Sequence, residues 1–381
     1  MLRKLSVLII TQDSSAYGGA EVLLNSLSKN FVRDGVEVFS ISGFRRFNKM
    51  QSEVGVRDIF VPFRLDVIGG LRGLVKFFVQ IPYGFYWYYR QCRKINPSVI
   101  LLSGFSEKIV VSPIAKLLHI PVVWLEHAPL EEVFSRNFGL PKLFYKVVVT
   151  IPRVIITPSM NTKVHICEEI GIERRRVKVI HNGIAINDVG AGEGDISRSV
   201  VDPLNPRLLM ISRLQREKGQ DTLIKALPIL SKKGIRAKLV LAGEGDLVKR
   251  LTMLALKLGV EKQIKLTGFV SETQKRFLIK HTDVYLFPTR WRMEGFGIAP
   301  LEAMSFGVPV VASNKGPVPE VVGDAGLLIN PNPEKVAVAI ERLLKDKKLY
   351  RKLSHNGPLR VRRYFDIEDT SKSYLRVFYG L

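Results

Sequence analysis

The chain has 381 residues, enough for two domains with separate cores, and its 46% apolar and 24% charged content is that of an ordinary globular protein. The net charge of +23 is not confined to one arm: 25 basic residues stand against 15 acidic ones up to position 190, and 33 against 20 beyond it. That argues against a nucleic-acid-binding tail and for general attraction to an anionic surface. Two cysteines, Cys92 and Cys167, with no Cys or His at ligand spacing, exclude a disulfide framework and a zinc site and fit a reducing, cytosolic setting.

The apolar run Leu5–Ile10 passes directly into Thr-Gln-Asp, so Leu5–Thr11 reads as a first strand rather than a leader. A polar loop, Gln12–Gly19, leads to a helix over Ala20–Asp34, closed by Gly35, and then to a strand over Val36–Ser42. This alternation predicts a parallel sheet with ligands at the carboxyl ends of its strands. Gly18 and Gly19, on the first such loop, either let the backbone approach a ligand or simply make a tight turn. Phe44–Lys49 is basic and aromatic.

Arg64–Lys94 combines Phe77, Phe78, Phe85, Tyr86, Trp87, Tyr88 and Tyr89 with six Lys or Arg and one Asp. Part of it suits a core helix and part an interfacial surface resting on anionic lipid. Its uncharged run Phe77–Tyr89 is 13 residues, interrupted by Pro82 and Gly84, against about 20 needed to span a bilayer.

Val99–Ser103 and Pro121–Glu126 read as further strands, and His127 closes the second, as either a structural hydrogen-bonding residue or a site residue. Arg153–Pro158 is a strand, Ser159 an N-cap, Met160–Ile170 a helix, and Val177–Ile180 a strand ending in the turn His181-Asn182-Gly183. Asn187–Pro206, rich in Gly, Ser and Pro and without apolar periodicity, reads as a linker. The expected division is therefore a first domain over 1–190, a linker over 191–206, a second domain over 207–365 and a final helix over 366–381. No internal tandem repeat is present.

The second half repeats the alternation. Arg207–Ser212 is a strand; Arg213 and Lys218 then precede Gly219 and a helix running to Gly234, which places two cations beside helix-terminal amides. Lys238–Ala242 and Ile264–Gly268 are strands, the latter followed by Phe269 and Val270. The apolar run Val284–Phe287 leads through a polar, aromatic loop to Glu294, Phe296, Gly297 and Ile298. Pro300 suits a first helical turn, Glu302 falls in that turn, and Gly307 marks the helix end. Amides of Gly295, Gly297 and Ile298 at a helix N-terminus suit an anion such as diphosphate, and the two carboxylates suit sugar hydroxyls. Pro309–Ala312 and Gly326–Ile329 complete the strands.

The Glu294–Glu302 segment resembles the Glu-x7-Glu signature of retaining nucleotide-sugar glycosyltransferases of the GT-B fold, family 4. The resemblance implies an α/β fold of two Rossmann-like domains facing across a cleft, with the last helix crossing back to the first domain. The first domain would bind the acceptor and the second the nucleotide sugar. It further implies that Glu294 holds the donor-sugar hydroxyls and Glu302 the ribose, while the Gly18-Gly19 loop faces the donor phosphate. Arg213 and Lys218, in a segment similar to the family's Arg-Leu…Lys-Gly element, would clamp the diphosphate. Phe269 and Val270 lie where the base rests on the main chain, and Phe296, Gly297 and Ile298 line the donor site. His127 would contact the donor sugar and steady developing charge. The implied activity is hexose transfer with retention, without a metal or other cofactor, to a glycan or lipid-linked acceptor at the inner face of a membrane. Mannose from GDP-mannose is the guess for the donor.

The segment Lys315-Gly316-Pro317 departs from the Gly-Gly that family members commonly place before the residue matching Glu320. An epimerase or phosphorylase of the same architecture is the alternative. A dinucleotide-dependent oxidoreductase would need a Gly-x-Gly-x-x-Gly that Thr11–Glu21 lacks, and a nucleic-acid-binding module would need a recognition motif that is absent. Glu294→Ala is expected to abolish turnover while leaving the fold intact.

Overall fold

Short apolar runs such as Val99–Leu102, Val122–Leu125 and Val284–Phe287 are buried along their whole length, as strands covered on both faces must be. The computed structural model describes residues 4–11, 18–67, 70–186 and 201–381. They form two units: Met1–Gly183 with Ile367–Leu381, and Ile184–Asp366. The expected linker falls mostly on residues 187–200, and the loop before Gly18 on 12–17, both outside the described residues.

In the first unit, β1 (Ser6–Ile10), β2 (Glu37–Ser42), β3 (Arg57–Phe60), β4 (Val99–Leu102), β5 (Val122–Leu125), β6 (Val154–Thr157) and β7 (Val177–Val179) form one parallel sheet. Their order is β3-β2-β1-β4-β5-β6-β7. In the second unit β8 (Arg207–Ile211), β9 (Lys238–Ala242), β10 (Ile264–Leu266), β11 (Val284–Phe287), β12 (Val310–Ser313) and β13 (Gly326–Ile329) form another, ordered β10-β9-β8-β11-β12-β13 and again parallel. Each core lies between sheet and helices. The helix Met160–Ile170 starts as its sequence requires, with the Ser159 hydroxyl accepting from the Thr162 amide at 3.1 Å.

The last helix, Ile367–Tyr379, packs on Gly19–Arg33 through Phe378 against Phe31, ring centroids 5.8 Å apart. Thr370 donates to the His181 carbonyl at 3.0 Å, and Gly183 passes so close to Ile367 that a Cβ there would meet its Cα at 2.6 Å.

Three local expectations are corrected. The edge strand β3 and the helix Arg45–Glu53 were not anticipated: β3 is short, charged and mostly exposed, which blunts an edge but hides the strand signal. Pro82 and Gly84 do not interrupt their segment, because Gly70–Ile95 is one helix running through both, with Gly84 packed against Phe63. Glu302 does not lie in a first turn: the helix begins at Ile298, which puts Glu302 in its second.

Helix Gly70–Ile95 buries Leu74, Phe77, Tyr88 and Cys92, and on its other face exposes Leu71, Val75, Phe78, Val79 (74% exposed) and Tyr86 among Arg72, Lys76 and Arg90. It contains no acidic residue. The helix Leu140–Val148, which meets it through Phe144 against Phe77 and Phe78, exposes Leu143 and Val147, and Phe138 on the preceding turn is 94% exposed. No helix among the described residues is long and apolar enough to cross a membrane.

Candidate active site

In each sheet the chain reverses its direction of travel once, between β1 and β4 in the first and between β8 and β11 in the second. Loops at the carboxyl ends of strands flanking such a point open a crevice, the usual ligand site of open α/β sheets. In the second unit those are the loops holding Lys218 and Glu294. Strand pairing of β8 with β11 therefore brings together residues 76 apart in sequence.

The Lys218 ammonium donates to both carboxylate oxygens of Glu294, at 2.9 and 2.7 Å, and both side chains are about nine-tenths buried. Thr289 donates to Glu294 Oε2 at 3.2 Å, and the ammonium lies 5.3 Å from the Trp291 ring centroid. The two loops are strapped further by Arg290. Its amide donates to the Glu217 carbonyl at 2.8 Å and its guanidinium pairs with Asp221 at 2.7 Å. Gly219, between Lys218 and the helix Gln220–Lys232, has φ +82°, and a Cβ there would stand 2.3 Å from the Pro288 carbonyl oxygen. Only glycine lets the β8 loop sit this close to the end of β11.

Arg213 follows β8 with an exposed side chain that carries no ion pair or hydrogen bond among the described residues. Glu302 is salt-bridged to Lys275, which also holds Glu272 at 2.9 Å. Burial raises the Glu302 carboxyl above its ordinary range while the Lys275 ammonium pulls it back. Gly297 caps the helix Ile298–Ser305 in a left-handed conformation, φ 99°. Phe296 turns into the core, its ring 5.8 Å from that of Phe365, so only its backbone is left to meet a ligand. Phe269 is half exposed on the loop after β10, beside the partly buried Val270.

The remaining expected residues belong to the first unit. Gly18 precedes the helix Gly19–Arg33, and its amide donates to the Glu21 carboxylate at 2.9 Å. His127 follows β5, and its Nε2 lies 2.7 Å from the Ser103 hydroxyl, which follows β4. Burial, then the nearby Lys108 ammonium, lowers the imidazole to about 3, so it is neutral at physiological pH.

Sequence reasoning missed the polar group behind it. Lys108, from the helix Phe105–Leu117, donates to the Leu125 carbonyl at 2.7 Å and lies 2.7 Å from Glu126 Oε1. Tyr145 donates to that same oxygen at 2.9 Å. The sequence signal was slight: Lys108 follows Glu107 near the start of a helix, and Glu126 closes an apolar strand. Also missed were Thr289, Trp291 and the Arg290–Asp221 pair. Among the described residues no three His, Cys, Asp or Glu side chains stand where they could share a metal ion.

Residues 17–188 match the family model described as Glycosyltransferase Family 4, and residues 196–360 the model described as Glycosyl transferases group 1. Over 238 residues the chain is 32% identical to an uncharacterized glycosyltransferase of Methanocaldococcus jannaschii, covering 59% of each chain. Over 150 residues it is 37% identical to the GDP-mannose-dependent alpha-(1-6)-phosphatidylinositol monomannoside mannosyltransferase of Mycobacterium tuberculosis, covering 37% of this chain and 39% of the relative. The aligned part thus spans less than two thirds of either relative. Its fold is similar to that of the Anabaena HepE protein solved in complex with UDP and glucose, with a TM-score of 0.79 and 22% identity over 99% of this chain and 100% of that one.

The pairing of Lys218 with Glu294 alters the expectation for Glu294→Ala. That change strands a buried ammonium, so it costs about 3 kcal/mol or more of stability besides any effect on turnover. Glu294→Gln keeps the shape and an acceptor for Lys218. It still leaves the ammonium without its counter-charge, so it is expected to melt below wild type but above Glu294→Ala, and to lower kcat/KM on the order of 100-fold; wild-type kcat/KM in that variant removes Glu294 from the site.

The His127 imidazole sits at about 3 in the folded chain against an ordinary value near 6.5. Between these values the unfolded chain binds a proton that the folded one does not, so stability falls as pH drops, by about 1 kcal/mol per pH unit. His127→Gln, compared by urea denaturation at pH about 6.5 and about 5, should lose correspondingly less than wild type; equal losses refute a neutral, partly buried His127.

Proposed function

We propose that this chain, which carries a Glycosyltransferase Family 4 domain followed by a Glycosyl transferases group 1 domain, transfers a hexose from a nucleotide diphosphate sugar to a glycan or lipid-linked acceptor with retention of configuration and without a metal. The observation that carries the reading is the buried Lys218–Glu294 pair at the switch point of the second sheet, with the exposed Arg213 on the same loop after β8 as Lys218. A cation that can pass to a diphosphate and a carboxylate that can pass to sugar hydroxyls stand in one place. The donor-sugar role of Glu294, the ribose role of Glu302 and the phosphate role of Gly18 and Gly19 belong to this proposal, as does the placing of the base near Phe269 and Val270.

Arg213, Lys218 and the amides at Gly297 and Ile298 stabilise the departing diphosphate by preorganised charge. No covalent nucleophile is required. The acceptor oxygen bonds to the anomeric carbon on the face from which the diphosphate leaves, and the acceptor proton passes to the departing phosphate oxygen. From the first unit a neutral His127 can hydrogen-bond a sugar hydroxyl and steady the charge that develops on the ring. The mannosyltransferase relative supports mannose from GDP-mannose, and the UDP-bound neighbour supports a nucleotide donor.

An anionic membrane surface is the proposed partner, reached from the cytoplasmic side. Its contact is the face of Leu71, Val75, Val79 and Tyr86 with Arg72, Lys76 and Arg90, where apolar side chains can enter the interface and cations meet lipid phosphates.

The donor is tested with a panel of nucleotide sugars including GDP-mannose and UDP-glucose, scored for nucleotide release with and without acceptor, for thermal shift, and for the anomeric configuration of the product. At least one donor should raise the melting temperature and be turned over with retention in the presence of a chelator. A panel in which none binds, or an inverted product, overturns the assignment. The membrane contact is tested by flotation: wild type should rise with vesicles rich in anionic lipid, and Leu71→Glu with Val79→Glu should stay at the bottom. Wild type that fails to rise removes the surface.

A further inference from the structure

Lys108 and Glu126 are 2% and 3% exposed in their side chains, among Phe105, Trp124, Phe134 and Tyr145. Taking two charges out of water is costly, and well-packed apolar residues of the same volume commonly stabilise a core as well or better. Stability therefore does not account for them. Their position is more telling. The ammonium holds the Leu125 carbonyl and the Glu126 carboxylate together, and Tyr145 fixes the same carboxylate oxygen from the helix Leu140–Val148. The last residue of β5 and the one after it are thus gripped from two helices, and the next residue is His127, whose ring meets Ser103 at the end of β4. Glu126 is held on its backbone too, its amide donating to the Ile156 carbonyl at 2.9 Å.

We infer that Lys108, Glu126 and Tyr145 are positioning residues for His127: they pin the end of β5 so that the imidazole meets Ser103 and the reacting sugar in a single orientation. The inference rests on the glycosyltransferase reading for its consequence in turnover, and on the geometry alone for its consequence in His127. None of the three touches substrate; each acts through the histidine.

The test is a double-mutant cycle on the full chain. The network is replaced by apolar residues of similar size, Lys108→Met with Glu126→Met and Tyr145→Phe, in wild-type and in His127→Ala backgrounds. The replaced protein should remain folded, with a cooperative thermal transition. In the wild-type background it should lower kcat about 10-fold or more with little change in KM for the donor, and in the His127→Ala background less than about 2-fold. Equal losses in the two backgrounds, or wild-type kcat, overturn the inference. The ¹⁵N resonance of His127 Nε2, assigned by its disappearance in His127→Gln, is a readout that needs no activity. It should leave its hydrogen-bonded position in the replaced protein, and an unmoved resonance also overturns the inference. Should the triple variant not fold, Tyr145→Phe alone is read by the same cycle and resonance, with the same two outcomes. A wild type that transfers no sugar counts against the proposed function, whereas an active wild type with an independent network counts against this inference only.

Discussion

The ion pair between Lys218 and Glu294 is the constraint on which the second unit's site depends. Each group would be costly to bury alone, and each is satisfied by the other. A ligand that draws the ammonium away must therefore give Glu294 new donors in the same act. A free phosphate offers Lys218 an anion but leaves the carboxylate with only the Thr289 hydroxyl, whereas a free sugar gives the carboxylate donors but offers the ammonium no counter-charge. A molecule bearing phosphate and hydroxyls within a few ångströms of one another can satisfy both. On the proposed function, the pair would favour the composite ligand over its fragments by the cost of leaving either group without its counter-charge.

That arrangement follows from topology before it follows from side chains. Parallel pairing of β8 with β11 puts the ends of two distant strands side by side, and the crossovers to β9 and β12 run away from each other. The first sheet repeats the geometry at β1 and β4, where Gly18 and Ser103 stand, with His127 one strand further on. Gly219 lets the β8 loop close on Pro288, and Arg290 straps the two loops together. A rigid frame of this kind keeps charged groups oriented without reorganisation, which is where preorganised electrostatics gains over water.

Much of this was legible in the sequence because buried parallel strands leave continuous apolar runs: Val284–Phe287 and Lys238–Ala242 have the bounds their composition indicates. The N-cap Ser159 and the helix after it were legible for the same local reason. What failed was tertiary. The edge strand β3 carries Arg57 and Asp58 and has no apolar run, and Pro82 is carried through a helix whose packing outweighs one missing hydrogen bond. The motif named Glu294 and Lys218 but not that they face each other. It named Glu302 without its partner Lys275, which lies on another helix. Lys108 and Glu126 left almost no trace, because a charge at the end of an apolar element looks like a surface residue until the fold closes over it.

The helix Gly70–Ile95 bears on the proposed use of the chain's excess of positive charge. A helix whose second face is also apolar is normally enclosed by protein, yet Leu71, Val75, Val79 and Tyr86 stand exposed. In water such a face invites self-association unless charge opposes it, and here Arg72, Lys76 and Arg90 are interleaved with no acidic residue on the same helix. Like charges oppose self-association of such a face, and the same cations are attracted to an anionic boundary, where apolar side chains also gain by leaving water. Under the proposed membrane contact, net charge and exposed hydrophobicity, each a liability alone, would favour this face of the first unit toward such a boundary.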